Sequence, residues 1–184
     1  LTAQKAKQKN IAVNYHGIEL YPVSVDNYTQ LNFTDLIGID RSELLKLHEC
    51  SWEGEQIIHD FFKLTKNKIA LENYTSKMKF DIIYFDAFSP ETQAEMWTEG
   101  VFKKCFNLLN KDGFLVTYCA KGVVKRTMKA IGFEIIVLDA AIKPSIFVSH
   151  SSIKVAFLSP IVFCNILLKR IITIEIGDYI WYIC

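Results

Sequence analysis

The stretch FDIIYFDAFSP, Phe80 to Pro90, runs apolar residues into a carboxylate, Asp86, and then breaks at an aromatic, a serine and a proline. A strand apolar on both faces belongs in a covered parallel sheet. In such sheets ligands sit beyond the carboxyl ends of the strands, where the strand order reverses. Asp86 is therefore delivered to the edge where a ligand would lie, as a hydrogen-bond or proton acceptor. The competing reading is that it caps a helix beginning near Pro90, because Asp is favoured at such turns. A second carboxylate, Glu19 in GIELYP, ends an earlier strand. An acid there accepts ribose hydroxyls in nucleotide-binding sheets, whereas a lone strand-end Glu is otherwise solvated. Lys121, Lys125, Arg126 and Lys129 follow the strand FLVTYC. They form either a solvated helix face or a set of phosphate contacts.

These side chains need a frame. Leu1 to Asn10 is dense in Ala, Gln and Lys and predicts a helix; IAVNYHGIELYP then turns β-branched and aromatic and predicts a strand stopping before Pro22. Ser24 caps a helical pattern through Val25, Tyr28, Leu31 and Phe33, and Asp40 to Trp52 predicts another helix or two short turns, with Leu44, Leu45 and Leu47 as the apolar side. Phe61 to Leu64 and Ile69 to Leu71 read as short strands, and FDIIYFDAF as the strongest one. Glu91 to Leu109 predicts a helix opened by Pro90, with Met96, Trp97, Val101, Phe102, Phe106 and Leu109 on its apolar face and a turn at Asn110, Asp112 and Gly113. The strand FLVTYC, the helix GVVKRTMKAIG closed by Gly132, and the strand FEIIVLD follow. Such alternation predicts an α/β fold, a mostly parallel sheet with helices on both faces. From Ala140 the alternation is lost, and from Ser159 the chain is Ile-rich without periodicity.

The 184 residues suit one domain, and a formal net charge of +1 gives no global field for nucleic acid or membrane. Any basic site must be local. Five scattered cysteines without a C-x-x-C pair read as reduced thiols of a cytoplasmic protein, with no metal site. LTAQKAKQKN has no signal-peptide core, and the apolar stretch Val155 to Leu168 is too short and too interrupted to span a membrane.

Together, GIELYPVSVDNYTQLN, LHECSWE and FDIIYFDAFSPETQAEMWTEGVFKKCFNLLNKDGFLVTYCAKGVVKRTMKAIGFE resemble the tRNA wobble-uridine methyltransferases that complete the 5-methylaminomethyl group on 2-thiouridine. DAFSP with the following EMW, and TYCAKGVVKR, are the most specific parts. The resemblance implies a Rossmann-like class I methyltransferase sheet, S-adenosyl-L-methionine as cofactor and tRNA as partner. It implies that Asp86 accepts N–H bonds from the substrate amine and helps remove its proton, with Glu19, Glu72 and Asp86 on the cofactor side. Phe88 and Pro90 would wall the site, Trp97 or Tyr118 would stack on the uracil, and Lys121 and Arg126 would meet phosphates. The plain alternative places Phe88 and Trp97 in the core.

Against the family pattern, the first strand and its glycine-rich loop are missing ahead of LTAQKAK, and beyond Glu134 the sequence diverges. The expectation is a partial methyltransferase domain over 1–139 and a divergent tail over 140–184, a terminal strand plus aberrant sequence. The expected function is methyl transfer to the wobble-uridine aminomethyl group by an incomplete fragment. The alternatives are a non-catalytic tRNA- or partner-binding module and an inactive gene remnant.

Overall fold

The computed structural model describes residues 2–30, 38, 40–138, 152–158 and 179–183. In chain order these form α1 (Thr2–Lys9), β1 (Val13–Ile18), the single turn α2 (Val25–Tyr28), α3 (Arg41–Glu49), β2 (Glu55–His59), β3 (Phe62–Asn67), β4 (Phe80–Phe85), α4 (Glu99–Leu108), β5 (Leu109–Thr117), α5 (Gly122–Ile131), β6 (Glu134–Leu138), β7 (Lys154–Leu158) and β8 (Tyr179–Ile183). Short 3-10 turns lie at Leu71–Asn73 and Ala94–Trp97.

All eight strands join one sheet in the order β2-β3-β1-β8-β4-β5-β7-β6. Every pairing is parallel except β2 with β3. The α/β sheet expected from the alternation is the fold observed. From β1 the chain builds outward through β3, and from β4 it builds the other way through β5. The order reverses between β1 and β4, and β8 occupies that central slot, hydrogen-bonded to both.

Alternation along β4 explains the two cores. Ile83 and Phe85 pack into a cluster with Phe102 and Cys105 of α4 and Met128 of α5, all 0% exposed. Ile82 and Tyr84 point the other way, into a cluster with Ala6 of α1 and Phe62 and Leu64 of β3, against which Leu47 of α3 packs. Helices therefore cover both faces. Each fully buried large apolar side chain contributes about 1.5–3 kcal/mol. Burial also pushes the Cys105 thiol up to about 12, which makes it a packing residue rather than a nucleophile.

Local chemistry sets several boundaries. Asp40 caps α3 by accepting the Ser42 N–H at 2.7 Å, which holds its carboxyl below the usual range. Gly132 closes α5 at φ 119°, donating to the Met128 and Lys129 carbonyls, a conformation that disfavours any residue with a Cβ. The helix expected from Glu91 to Leu109 is shorter. Thr98 caps α4 through its hydroxyl, which accepts the Val101 N–H at 3.4 Å, and the residues before it form a turn and one 3-10 segment. Ile69–Leu71 is not a strand, because Leu71 enters a 3-10 turn whose carbonyls are held by Lys104. Leu31 and Phe33 lie outside the described residues, as does most of the Ile-rich tail.

Candidate functional site

Five strands end along one line. Asn67, Ile18, Ile183, Phe85 and Thr117 pair in turn across β3, β1, β8, β4 and β5. The residues that follow three of them, Glu19, Asp86 and Tyr118, leave the sheet at the same carboxyl edge. Glu19 and Asp86 are separated by one intervening strand. Two strand spacings put their backbones about 10 Å apart.

On the Asp86 side, the loop after β4 is tied down from three directions. The Tyr118 hydroxyl donates to the Ala87 carbonyl at 2.9 Å, and the Trp97 indole N–H donates to the Phe88 carbonyl at 2.7 Å. The Phe88 N–H donates to Gln93 Oε1 at 3.0 Å, and Thr92 and Gln93 both donate main-chain N–H groups to the Ser89 carbonyl. Glu91 pairs with Lys121, which fastens the loop to the start of α5. No helix begins at Pro90, so the capping reading of Asp86 is replaced by a half-buried carboxylate beside Tyr118. Burial foremost, with Cys119 and Asp86 adding, pushes the Tyr118 hydroxyl above its ordinary range.

The remaining expected residues separate into two groups. Trp97 is 9% exposed and makes edge-to-face contacts with Phe85, Phe102 and Tyr118. Its ring belongs to the core, and its link to the site is the N–H that holds Phe88. Phe88 is 72% exposed, which overturns the core reading for that residue, and Pro90 is half-buried in the same loop. Arg126 and Lys129 are exposed on α5, while Lys125 stands 5.4 Å from the Phe157 ring centre. Glu72 is exposed in its 3-10 turn, and its main-chain carbonyl accepts from Lys104 at 2.5 Å.

On the Glu19 side lies an open cavity of about 550 Å³ between the end of β1, α2, the end of α3 and β3. Glu19 Oε1 accepts the Tyr21 N–H at 2.6 Å, which orients the carboxylate at the rim. Tyr28 stacks on His48 with centroids 4.8 Å apart, and burial, then the Lys66 charge, holds His48 below its usual pKa. Lys66, 9% exposed, donates to the Leu47 and His48 carbonyls at the end of α3 and stands 4.8 Å from the Trp52 ring centre. A cation there also suits the negative end of the helix. The sequence reading missed Tyr28, Trp52 and Lys66 as a group. A signal was present in Lys66, which follows Phe62 and Leu64 at a spacing of two and so shares their inward face.

The cavity falls within the about 300–1,000 Å³ of small-molecule sites. Tyr28 and Trp52 are among its walls, and Glu19 stands at its rim. The loops after β1 and β4, residues 19–24 and 86–93, contain no glycine, so side chains rather than a main-chain cradle face this edge. Among the described residues no three His, Cys, Asp or Glu side chains gather to hold a metal, and no helix is long and apolar enough to cross a membrane.

A family model described as S-adenosyl-L-methionine-dependent methyltransferase matches residues 49–140. The chain is also similar to curated proteins named tRNA 5-methylaminomethyl-2-thiouridine biosynthesis bifunctional protein MnmC. Identity to that of Actinobacillus pleuropneumoniae serotype 5b is 34% over 62 residues, 34% of this chain and 9% of the relative. For Cupriavidus metallidurans it is 44% over 54 residues, 29% and 8%. For Paraburkholderia phymatum it is 37% over 57 residues, 31% and 9%. The match thus spans less than a tenth of the length of each of these relatives.

Proposed function

Because the chain belongs to the S-adenosyl-L-methionine-dependent methyltransferase family, we propose that it transfers a methyl group to the aminomethyl nitrogen of a wobble uridine in tRNA. The observation that carries this reading is the shared row of Ile18, Ile183 and Phe85, which brings Glu19 and Asp86 to one edge of the sheet. The names of the similar proteins supply the substrate class.

When bound, the cofactor supplies an electrophilic methyl group on sulfur. Glu19 accepts hydroxyl hydrogens of its ribose, and Trp52 gives its base a flat wall. Asp86 accepts an N–H of the substrate amine, which aims the nitrogen lone pair and fixes its approach. The Asp86 carboxylate, beside the nitrogen, would stabilise the positive charge that grows there as the nitrogen takes up the methyl group. The surplus proton then passes from nitrogen to Asp86 and on to water. Tyr118 and Trp97 act by positioning, since each holds a main-chain carbonyl of the loop that carries Asp86.

Calorimetric titration of the chain with S-adenosyl-L-methionine tests the cofactor half of the reading. Saturable binding that weakens by at least about tenfold in Glu19→Ala is expected, the scale of one lost charged hydrogen bond. The glycine-free loops favour one other reading, a tRNA-binding module without catalysis. tRNA binding with no cofactor affinity in the same protein would select it.

A further inference from the structure

Two exposed aromatic rings belong to the loops that leave the carboxyl edge on either side of β8. Tyr21 lies three residues past Ile18, and Phe88 three residues past Phe85, the two residues that share Ile183 as partner. Tyr21 is 81% exposed and Phe88 72%. Both are nonetheless held at the backbone: the Tyr21 N–H donates to Glu19 Oε1 at 2.6 Å and the Phe88 N–H to Gln93 Oε1 at 3.0 Å. An exposed ring on an anchored main chain offers a face to a partner at little ordering cost.

Charge chooses the partner. The Phe88 loop is fastened to the start of α5 by Glu91 and Lys121, and α5 carries Lys125, Arg126 and Lys129 with no acid among its residues. A ring in a loop fastened to a basic helix suits a single-stranded nucleic acid, whose bases stack while its phosphates meet cations. An anionic membrane would meet the same cations, but it would press its headgroups against Glu19 and Asp86. A splayed RNA loop instead presents amines and ring N–H groups to those carboxylates.

We propose that Tyr21 and Phe88 are a stacking pair that grips the two bases flanking the target nucleotide of an unpaired RNA loop, leaving that nucleotide at Asp86. The proposal rests on the tRNA reading above and adds the two residues that engage the loop. It also explains why rings of this size stay uncovered when most other aromatics among the described residues are buried.

The test is fluorescence-anisotropy binding of the full chain to an anticodon stem-loop and to a fully paired RNA hairpin of equal length, with anionic vesicles as a third probe. Preference for the unpaired loop is expected. Tyr21→Ala and Phe88→Ala should each weaken loop binding by about tenfold, the scale of one base–aromatic stack, without lowering the melting temperature. Tyr21→Phe should bind as the parent does. Ile57→Ala, which truncates an apolar side chain exposed at 68% on the edge strand β2, should change nothing. If loop binding falls in Arg126→Ala but not in either ring variant, the stacking pair is refuted and the tRNA reading stands. If the parent chain binds none of the RNAs, both are refuted, and vesicle binding in their place would assign the surface to a membrane.

Discussion

Glu19 and Asp86 leave the sheet from the same transverse row, because the residues before them, Ile18 and Phe85, pair with one shared residue, Ile183. Two carboxylates that are far apart in sequence thus leave the same edge of the sheet on either side of a single strand. One has a ring-lined cavity beneath it and the other a loop braced by Trp97 and Tyr118.

Asp86→Ala removes the proposed proton acceptor without removing a core side chain. Turnover should fall by about 10²–10⁴-fold, the usual contribution of a positioned acid or base. tRNA and cofactor affinities should stay within a few-fold of the parent, as separate binding and single-turnover measurements would reveal.

Trp97→Phe keeps a ring in the core but deletes the N–H that holds the Phe88 carbonyl. The expected loss is about 1 kcal/mol of stability, read from urea unfolding. Faster amide exchange in residues 86–93 than in β4 should accompany it.

Stability should fall as the solution is acidified through the histidine range. His16 is 8% exposed and edge-on to Phe80, and burial holds its pKa below 6.5 against an opposing pull from Glu55. His48 is lowered by burial and then by Lys66. The unfolded chain takes up protons on both near pH 6.5 while the folded chain does not, so their contribution is full above about 6.5 and is lost below it. The urea midpoint should drop between about pH 7 and pH 5.5, and His16→Gln should flatten that drop. A midpoint that rises on acidification would contradict the assignment.

Ile180 of β8 pairs with Tyr15 of β1 and Ile82 of β4. Ile180→Pro removes a ladder donor from a strand bonded on both sides, where proline is not accommodated. A loss of at least about 3 kcal/mol is expected, with the exchange protection of β1 and β4 falling together. An unchanged melting temperature would show that β8 does not hold the centre of the sheet.

The sequence made local elements readable and left remote pairings hidden. β4 and α5 announce themselves, the first by an unbroken apolar run and the second by its Gly132 stop. β2 escaped notice because one of its two apolar residues, Ile57, is exposed on an edge strand and leaves no inward pattern. The break of the expected long helix at Thr98 was written in the capping hydroxyl but masked by the apolar spacing of Met96, Trp97 and Val101. A terminal strand was expected in the tail, but the slot of β8 was not readable, since it depends on long-range pairing with β1 and β4 rather than on any pattern within its own Ile-rich surroundings. Asp86 was visible as a strand-end acid. The cavity beneath Glu19 was not, because its walls come from four separate elements.

Mass analysis of nucleosides from tRNA carrying 5-aminomethyl-2-thiouridine, incubated with the chain and S-adenosyl-L-methionine, tests the central claim most directly. Conversion of that nucleoside to its N-methyl form by the parent chain, and none by Asp86→Ala, is the predicted result. Unchanged nucleoside after incubation with a folded chain that binds both the cofactor and the tRNA would contradict it.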